Sequence, residues 1–244
     1  MPKPQPPTEF AREWVSEALG TSLLLTAVIG SGIMGERLSG GNAAIALLAN
    51  SLTTGAVLVS LILTFGPISG AHFNPAVTIC DAFLGGIPWK KTPLYISAQI
   101  IGAFLGVGVA NKMFNLPFFF TSQHIRQGHN QVFSEFVATF GLMAVIWGCS
   151  RRRAASVPAA VAAYITAAYW FTSSTSFANP AVTLARTVSD TFAGIRPADV
   201  TGFILAQLAG AMVAAVLFKW LVPPLPPIHD PAQNSTTSGR QHLP

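Results

Sequence analysis

The sequence predicts an all-α membrane protein of six spanning helices and two half-length helices, arranged as two inverted halves. Three observations predict it. The 244 residues are 51% hydrophobic and 9% charged, where soluble domains are roughly a quarter charged, and the mean hydropathy is +0.51. Six apolar runs of about 20 residues recur, each enough to cross a ~30 Å hydrocarbon core. The pentapeptide Asn-Pro-Ala-Val-Thr stands at 74–78 and again at 179–183, 105 residues apart (179 − 74), a long-period internal repeat.

Residues 1–12 form a Pro-rich polar tail that composition predicts to be disordered. It lacks a signal-peptide layout, so the first apolar run is expected to remain as an uncleaved span. Spans are expected at 14–34, 43–65, 93–114, 132–149, 154–171 and 200–222, within a membrane domain over 13–222. A polar loop is expected at 115–130, and the Pro-, Ser- and Thr-rich stretch 223–244 reads as a second disordered tail.

Two apolar segments are too short to span: 75–84, stopped by Gly85-Gly86, and 180–191. Each starts with the chemistry of a helix N-terminus. Asn74 and Asn179 are favoured N-cap residues, and Pro75 and Pro180 suit the first helical position because it needs no N–H donor. A capping Asn uses its carboxamide oxygen on the first turn and keeps its NH2 as an oriented donor. Two such starts present two donors and two positive dipole ends, which suits binding or orienting a polar solute rather than covalent chemistry.

The repeat extends further. Glu17-Ala18-Leu19-Gly20-Thr21 matches Glu135-Phe136-Val137-Ala138-Thr139, and Ala98 to Ala103 matches Ala206 to Ala211 through a shared Ala-Gln pair and a Gly-Ala pair. Each half, about 13–114 and 132–222, then holds three spans with a half-helix before the third. An odd number of spans inverts one half relative to the other, so the half-helices enter from opposite sides and meet N-terminus to N-terminus.

With the N-terminus inside, nine basic residues fall on the cytoplasmic side: Lys3, Arg12, Lys90, Lys91, Arg151, Arg152, Arg153, Lys219 and Arg240. Arg37, Lys112, Arg126, Arg186 and Arg196 fall outside, as the positive-inside rule prefers, with both termini cytoplasmic. The net charge of +5 therefore speaks of orientation in a lipid bilayer; no basic stripe points to nucleic acid. Cys80 and Cys149 have neither metal nor disulfide spacing and read as free thiols.

Glu17 and Glu135 are the carboxylates set deep inside predicted full spans. Each costs at least ~2.5–3.5 kcal/mol there unless it finds a protein partner. They read as buried braces for the half-helix loops, with a proton relay as the alternative. Gly20, Gly102 and Gly210 suit close helix packing.

This layout and the paired Asn-Pro-Ala cores resemble the aquaporin/aquaglyceroporin (major intrinsic protein) family over about residues 10–222. The resemblance implies a bundle of six tilted helices with a pore in each subunit and four subunits associating as a homotetramer. It also implies that Asn74, Pro75, Ala76, Asn179, Pro180 and Ala181 form the pore centre, with the two Asn as donors. Converging helix dipoles would repel protons and cations. By the same resemblance His72 lines the cytoplasmic vestibule.

One departure is informative. Most of the family has Arg directly after the second Asn-Pro-Ala; this chain has Val182, which shares a helix face with Asn179. Arg186 lies on roughly that face but a turn further along, and is left outside the expected filter. Ungapped counting from Asn74 and Asn179 puts the other filter positions at Thr54, Ala167 and Ser176. A filter of Thr54, Ala167, Ser176 and Val182 would be wide and weakly polar, without the rigid fork of a guanidinium.

In this the chain is similar to the arsenical-conducting branch of bacterial aquaglyceroporins, which share the Val-Thr continuation. The expectation is a passive inner-membrane channel of a bacterium, with no cofactor, metal or catalysis. Its solutes would be arsenite or organoarsenicals with glycerol-like polyols and some water. Alternatives are a general glycerol or urea facilitator, or a water channel, with incidental arsenical permeability. An inverted-repeat secondary transporter would need a titratable site beside Asn74 or Asn179, and no carboxylate adjoins either in sequence.

Overall fold

The computed structural model describes residues 7–222. Among these residues eight α-helices follow one another: α1 (Pro7–Leu38), α2 (Ala43–Ser69), α3 (Pro75–Phe83), α4 (Thr92–Met113), α5 (His129–Ser150), α6 (Val157–Phe171), α7 (Pro180–Ala185) and α8 (Val200–Leu221). Among the described residues six helices are long and apolar enough to cross a membrane. The short α3 and α7 are the half-helices.

The halves repeat one packing plan. In the first, α1 packs on α2 and α4; in the second, α5 packs on α6 and α8, and α2 against α6 joins the two. The half-helices cross over, α3 touching α8 and α7 touching α4. Glycines permit the tight crossings. A Cβ on Gly102 would lie 2.1 Å from the Ala18 carbonyl oxygen, and one on Gly210 would lie 2.3 Å from that of Phe136, so the backbones approach where no side chain fits.

Two boundaries differ from expectation. Residues 7–12 continue α1 as helix instead of belonging to a disordered tail; the first turn carries Glu9, which favours a helix N-terminus. Residues 1–6 and 223–244, the rest of the expected tails, lie outside the described residues. The second half-helix, expected to reach 191, ends at Ala185 and tightens into a 3₁₀ turn, Arg186–Val188. The 115–130 loop takes over its last acceptors: Ser122 N–H donates to the Thr187 carbonyl (2.8 Å) and Phe120 N–H to that of Val188 (3.1 Å). Ser189 then turns extended and donates through its hydroxyl to Asn111 Oδ1 at 2.8 Å.

Candidate functional site

The N-termini of α3 and α7 meet through crossed hydrogen bonds. Asn74 caps α3, its Oδ1 accepting from Ala76 N–H at 2.9 Å, and its Nδ2 donates to the Ala178 carbonyl at 2.8 Å. Asn179 caps α7, accepting from Ala181 N–H at 3.0 Å, and donates to the Phe73 carbonyl at 2.8 Å. An NH2 group has two donors, so each Asn retains one. Both Asn side chains line the same cavity.

The loops that deliver them hold residues in left-handed backbone conformations: Ala71 and Phe73 before Asn74, and Ser176 and Ala178 before Asn179, with φ of 48–51°. Each such non-glycine residue costs on the order of 1 kcal/mol or more. The buried carboxylates hold these turns. Glu17 Oε1 accepts from Ser69 Oγ (2.7 Å) and His72 N–H (2.9 Å), and Oε2 from Phe73 N–H (2.7 Å) and Gln99 Nε2 (2.8 Å). Glu135 accepts from Phe177 N–H (2.9 Å), Ala178 N–H (2.8 Å) and Gln207 Nε2 (2.6 Å). Both are fully buried. Glu17 thus takes four donors and Glu135 three, and in each case two of them are backbone N–H groups of the turn that precedes an Asn.

The turned backbone leaves carbonyls free. No donor among the described residues reaches the carbonyls of Ala71, His72, Ser176 or Phe177. All four residues line a cavity of about 240 Å³ that runs between α1, α2, α5 and α6. Its wall is otherwise mainly aliphatic and aromatic, with Leu24, Val28, Leu58 and Leu142 among its members. An apolar tube with a track of carbonyl acceptors and two central amide donors suits a small neutral solute carrying both hydroxyl donors and acceptors.

Of the expected filter residues, Thr54, Ser176 and Val182 come together on this wall. Ala167 does not: it is exposed on the outer surface of the bundle. The cavity face of α6 is the stripe Val157, Val161, Ile165 and Tyr169, spaced four apart as one helical face requires. Ala167 lies two residues from Tyr169, about 200° around the helix. Ungapped counting failed because the α6–α7 connection sets the register, and the four-residue stripe was the signal that would have found it. Tyr169 takes the place, its hydroxyl 3.1 Å from Thr54 Oγ1. Exchanging Ala167 for Leu is therefore expected to leave stability within ~0.5 kcal/mol and solute permeation intact. Tyr169→Ala is expected to change the solute size limit, as read by swelling with a polyol series.

Two further residues were missed at this end. Arg186 is buried and lines the cavity, its guanidinium carbon 3.4 Å from the centroid of the Phe177 ring. Arg126, from the loop before α5, lies 4.9 Å from the same ring. Burial lowers the Arg126 guanidinium to about 10, so it stays charged at neutral pH. At the other end His72 lines the cavity, Nδ1 being 3.1 Å from Thr78 Oγ1 and Nε2 3.7 Å from Asp81 Oδ2. No trio of His, Cys, Asp or Glu able to hold a metal occurs among the described residues.

Comparison with known proteins agrees with this geometry. The family model of the major intrinsic proteins matches residues 6–172 and, overlapping it, 154–242. The chain is 50% identical over 220 residues to the aquaglyceroporin AqpS of Rhizobium meliloti (strain 1021), covering 90% of this chain and 94% of that one. A shorter match, 40% over 104 residues, covers 42% of this chain and 33% of aquaglyceroporin-3 from Trypanosoma brucei brucei. Among solved structures, that of the aquaglyceroporin from Plasmodium falciparum superposes with a TM-score of 0.66 over 88% of this chain and 98% of that one; at 23% identity this likeness speaks for the fold alone. The paired half-helices, the crossed asparagines and these matches lead to one conclusion: the chain belongs to the major intrinsic protein family of passive membrane channels.

Proposed function

We propose that this protein conducts small uncharged solutes, namely glycerol-like polyols and arsenite or organoarsenicals, together with some water. The observation that carries the reading is the polar track through the cavity: two Asn donors flanked by free carbonyls, with Val182 where a narrowing arginine would stand. Near neutral pH arsenite is an uncharged trihydroxy species of about glycerol's size, so one row of acceptors and donors serves both. The similarity to AqpS, an aquaglyceroporin by name, supports the polyol part. In this reading Thr54, Ser176 and Val182 with Tyr169 set the constriction. The channel sits in a bacterial inner membrane as a homotetramer, both termini in the cytoplasm, so that the His72 end of the cavity is the inner one.

A second reading, a general glycerol or urea facilitator with incidental arsenical passage, draws on the Thr54–Tyr169 hydroxyl pair, which narrows the wall that Ala167 would have left open. Stopped-flow swelling of proteoliposomes in glycerol, urea and arsenite gradients decides. Wild type is expected to pass glycerol and arsenite quickly, and Val182→Arg to slow both by about tenfold while sparing water. Passage of water alone, or no effect of the substitution, would sink the assignment. Fast glycerol and urea with slow arsenite would favour the second reading.

A further inference from the structure

The two repeats are identical through Asn-Pro-Ala-Val-Thr and then part in charge. Seven residues beyond each Asn stand Asp81 in the first copy and Arg186 in the second; two residues before each Asn stand His72 and Phe177. The fold brings each of these pairs together, His72 with Asp81 at 3.7 Å and Phe177 with Arg186 at 3.4 Å from ring centroid to guanidinium carbon. All four line the cavity. Because α3 and α7 start back to back and run apart, seven residues at ~1.5 Å each put Asp81 and Arg186 about 10 Å to either side of the asparagines, at opposite ends.

Both charges have unused bonding capacity. Arg186 is 1% exposed, yet only its Nε finds an acceptor, the Ala193 carbonyl. Its two terminal amino groups, four N–H donors, meet no acceptor among the described residues. Arg126, on the same Phe177 ring, behaves differently. Its Nε donates to the Gly194 carbonyl at 2.8 Å, Nη1 to the Ser174 carbonyl at 3.2 Å and Nη2 to the Phe192 carbonyl at 3.3 Å, and it is not part of the cavity wall. Arg126 ties loops together; Arg186 keeps a free fork on the cavity wall. Neither guanidinium is paired with a carboxylate among the described residues.

Asp81 mirrors this. No hydrogen-bond donor among the described residues reaches its carboxylate, and the His72 ring stands beside it with Nε2 3.7 Å from Oδ2. A Cβ on Gly86 would lie 2.1 Å from Asp81 Oδ1, so the glycine leaves the carboxylate its place. Of the described residues on the cavity wall, Asp81, Arg186 and His72 are the Asp, Glu, Lys, Arg or His side chains.

We propose that Arg186 and Asp81 are paired ion barriers of opposite sign at the two ends of the pore. A fixed charge in a narrow, low-dielectric passage repels ions of its own sign strongly. The guanidinium turns back cations and offers its free N–H groups to solute oxygens; the carboxylate turns back anions. An ion drawn to one end meets repulsion at the other. A pore without arginine after the second Asn-Pro-Ala thus stays closed to both signs, and neutral polar solutes pass. Side chains on a helix lean toward its N-terminus, so Arg186 reaches back over the turn that carries Val182.

The proposal rests on the channel reading, and its test separates the two. The full chain is reconstituted, and a swelling response to glycerol establishes that a pore is present. Ion flux is then read as current and reversal potential in planar bilayers under a potassium chloride gradient. Wild type is expected to be ion-tight. Arg186→Gln is expected to raise the conductance about tenfold or more with cation selectivity, and Asp81→Asn to raise it with anion selectivity. Val182→Arg combined with Arg186→Gln restores tightness by returning a guanidinium to the same face. Wild-type protein gives a reading free of folding effects: ethylene glycol should enter, while protonated ethanolamine and glycolate, of similar size, should not. A glycerol-permeable wild type that admits either ion overturns the barrier, as do two ion-tight single variants that still swell in glycerol. A wild type that does not swell overturns the channel reading itself.

Discussion

Glu17→Ala is expected to remove most of the folded protein from the membrane fraction. The carboxylate accepts two backbone N–H groups, from His72 and Phe73, and the Gln99 amide, all in a site with no solvent exposure at Glu17. Truncation leaves two backbone N–H groups without an acceptor and takes one of the two partners of Gln99 Nε2, which keeps Thr78 Oγ1, at ~1–3 kcal/mol for each lost bond, a sum comparable to a domain's whole stability of ~5–15 kcal/mol. It also releases Ala71 and Phe73 from their left-handed conformations, so Asn74 loses its aim. Glu17→Gln keeps one acceptor but turns an NH2 toward the remaining N–H, and should fall between. Size-exclusion recovery and thermal unfolding in detergent measure the series. Recovery of Glu17→Ala at wild-type yield, with a midpoint within about 2 °C, would show that the loop holds itself.

The second large effect is expected at Gly102. A single added methyl would sit 2.1 Å from the Ala18 carbonyl oxygen and 3.0 Å from its Cα, where carbon–oxygen contacts ordinarily stop near ~3.3 Å. Both obstacles are backbone, so α1 and α4 must separate by about 1 Å, at a cost of ~1–3 kcal/mol or more. Ala18 is the neighbour of Glu17, so the displacement carries into the Asn74 loop. Gly102→Ala should therefore lower both the unfolding temperature and the rate of glycerol-driven swelling. Gly66→Ala, with nothing within 4 Å of the added carbon, is the matched control and should be neutral or slightly stabilising. Equal behaviour of the two variants would mean that the close crossing is not needed.

The six spans, the two half-helices and their inverted pairing follow from chain-local properties. Run length sets what can cross a bilayer, Asn-Pro sets where a short helix starts, and an odd span count sets inversion. Glu17 and Glu135 stood out for the same reason, since a carboxylate in an apolar span demands a partner. Their partners, the backbone N–H groups of the opposite loops, have no side-chain signature and could be identified only in three dimensions. Val182 was legible because it sits three residues along one helix from Asn179. Ala167 was misplaced because its assignment counted across a non-helical connection, where no fixed rotation per residue carries the register from one helix to the next. Tyr169 is set by how α6 rotates against α2. The role of Arg186 is likewise tertiary, because an arginine one turn too far in sequence returns to the cavity only when a long side chain stacks on Phe177. What the sequence by itself determined is the membrane architecture and the paired asparagines, since both obey helical and bilayer periodicities. What only the tertiary structure decided is which faces and which charges border the pore, because those depend on loop-set rotations and on contacts between residues about a hundred positions apart in the chain.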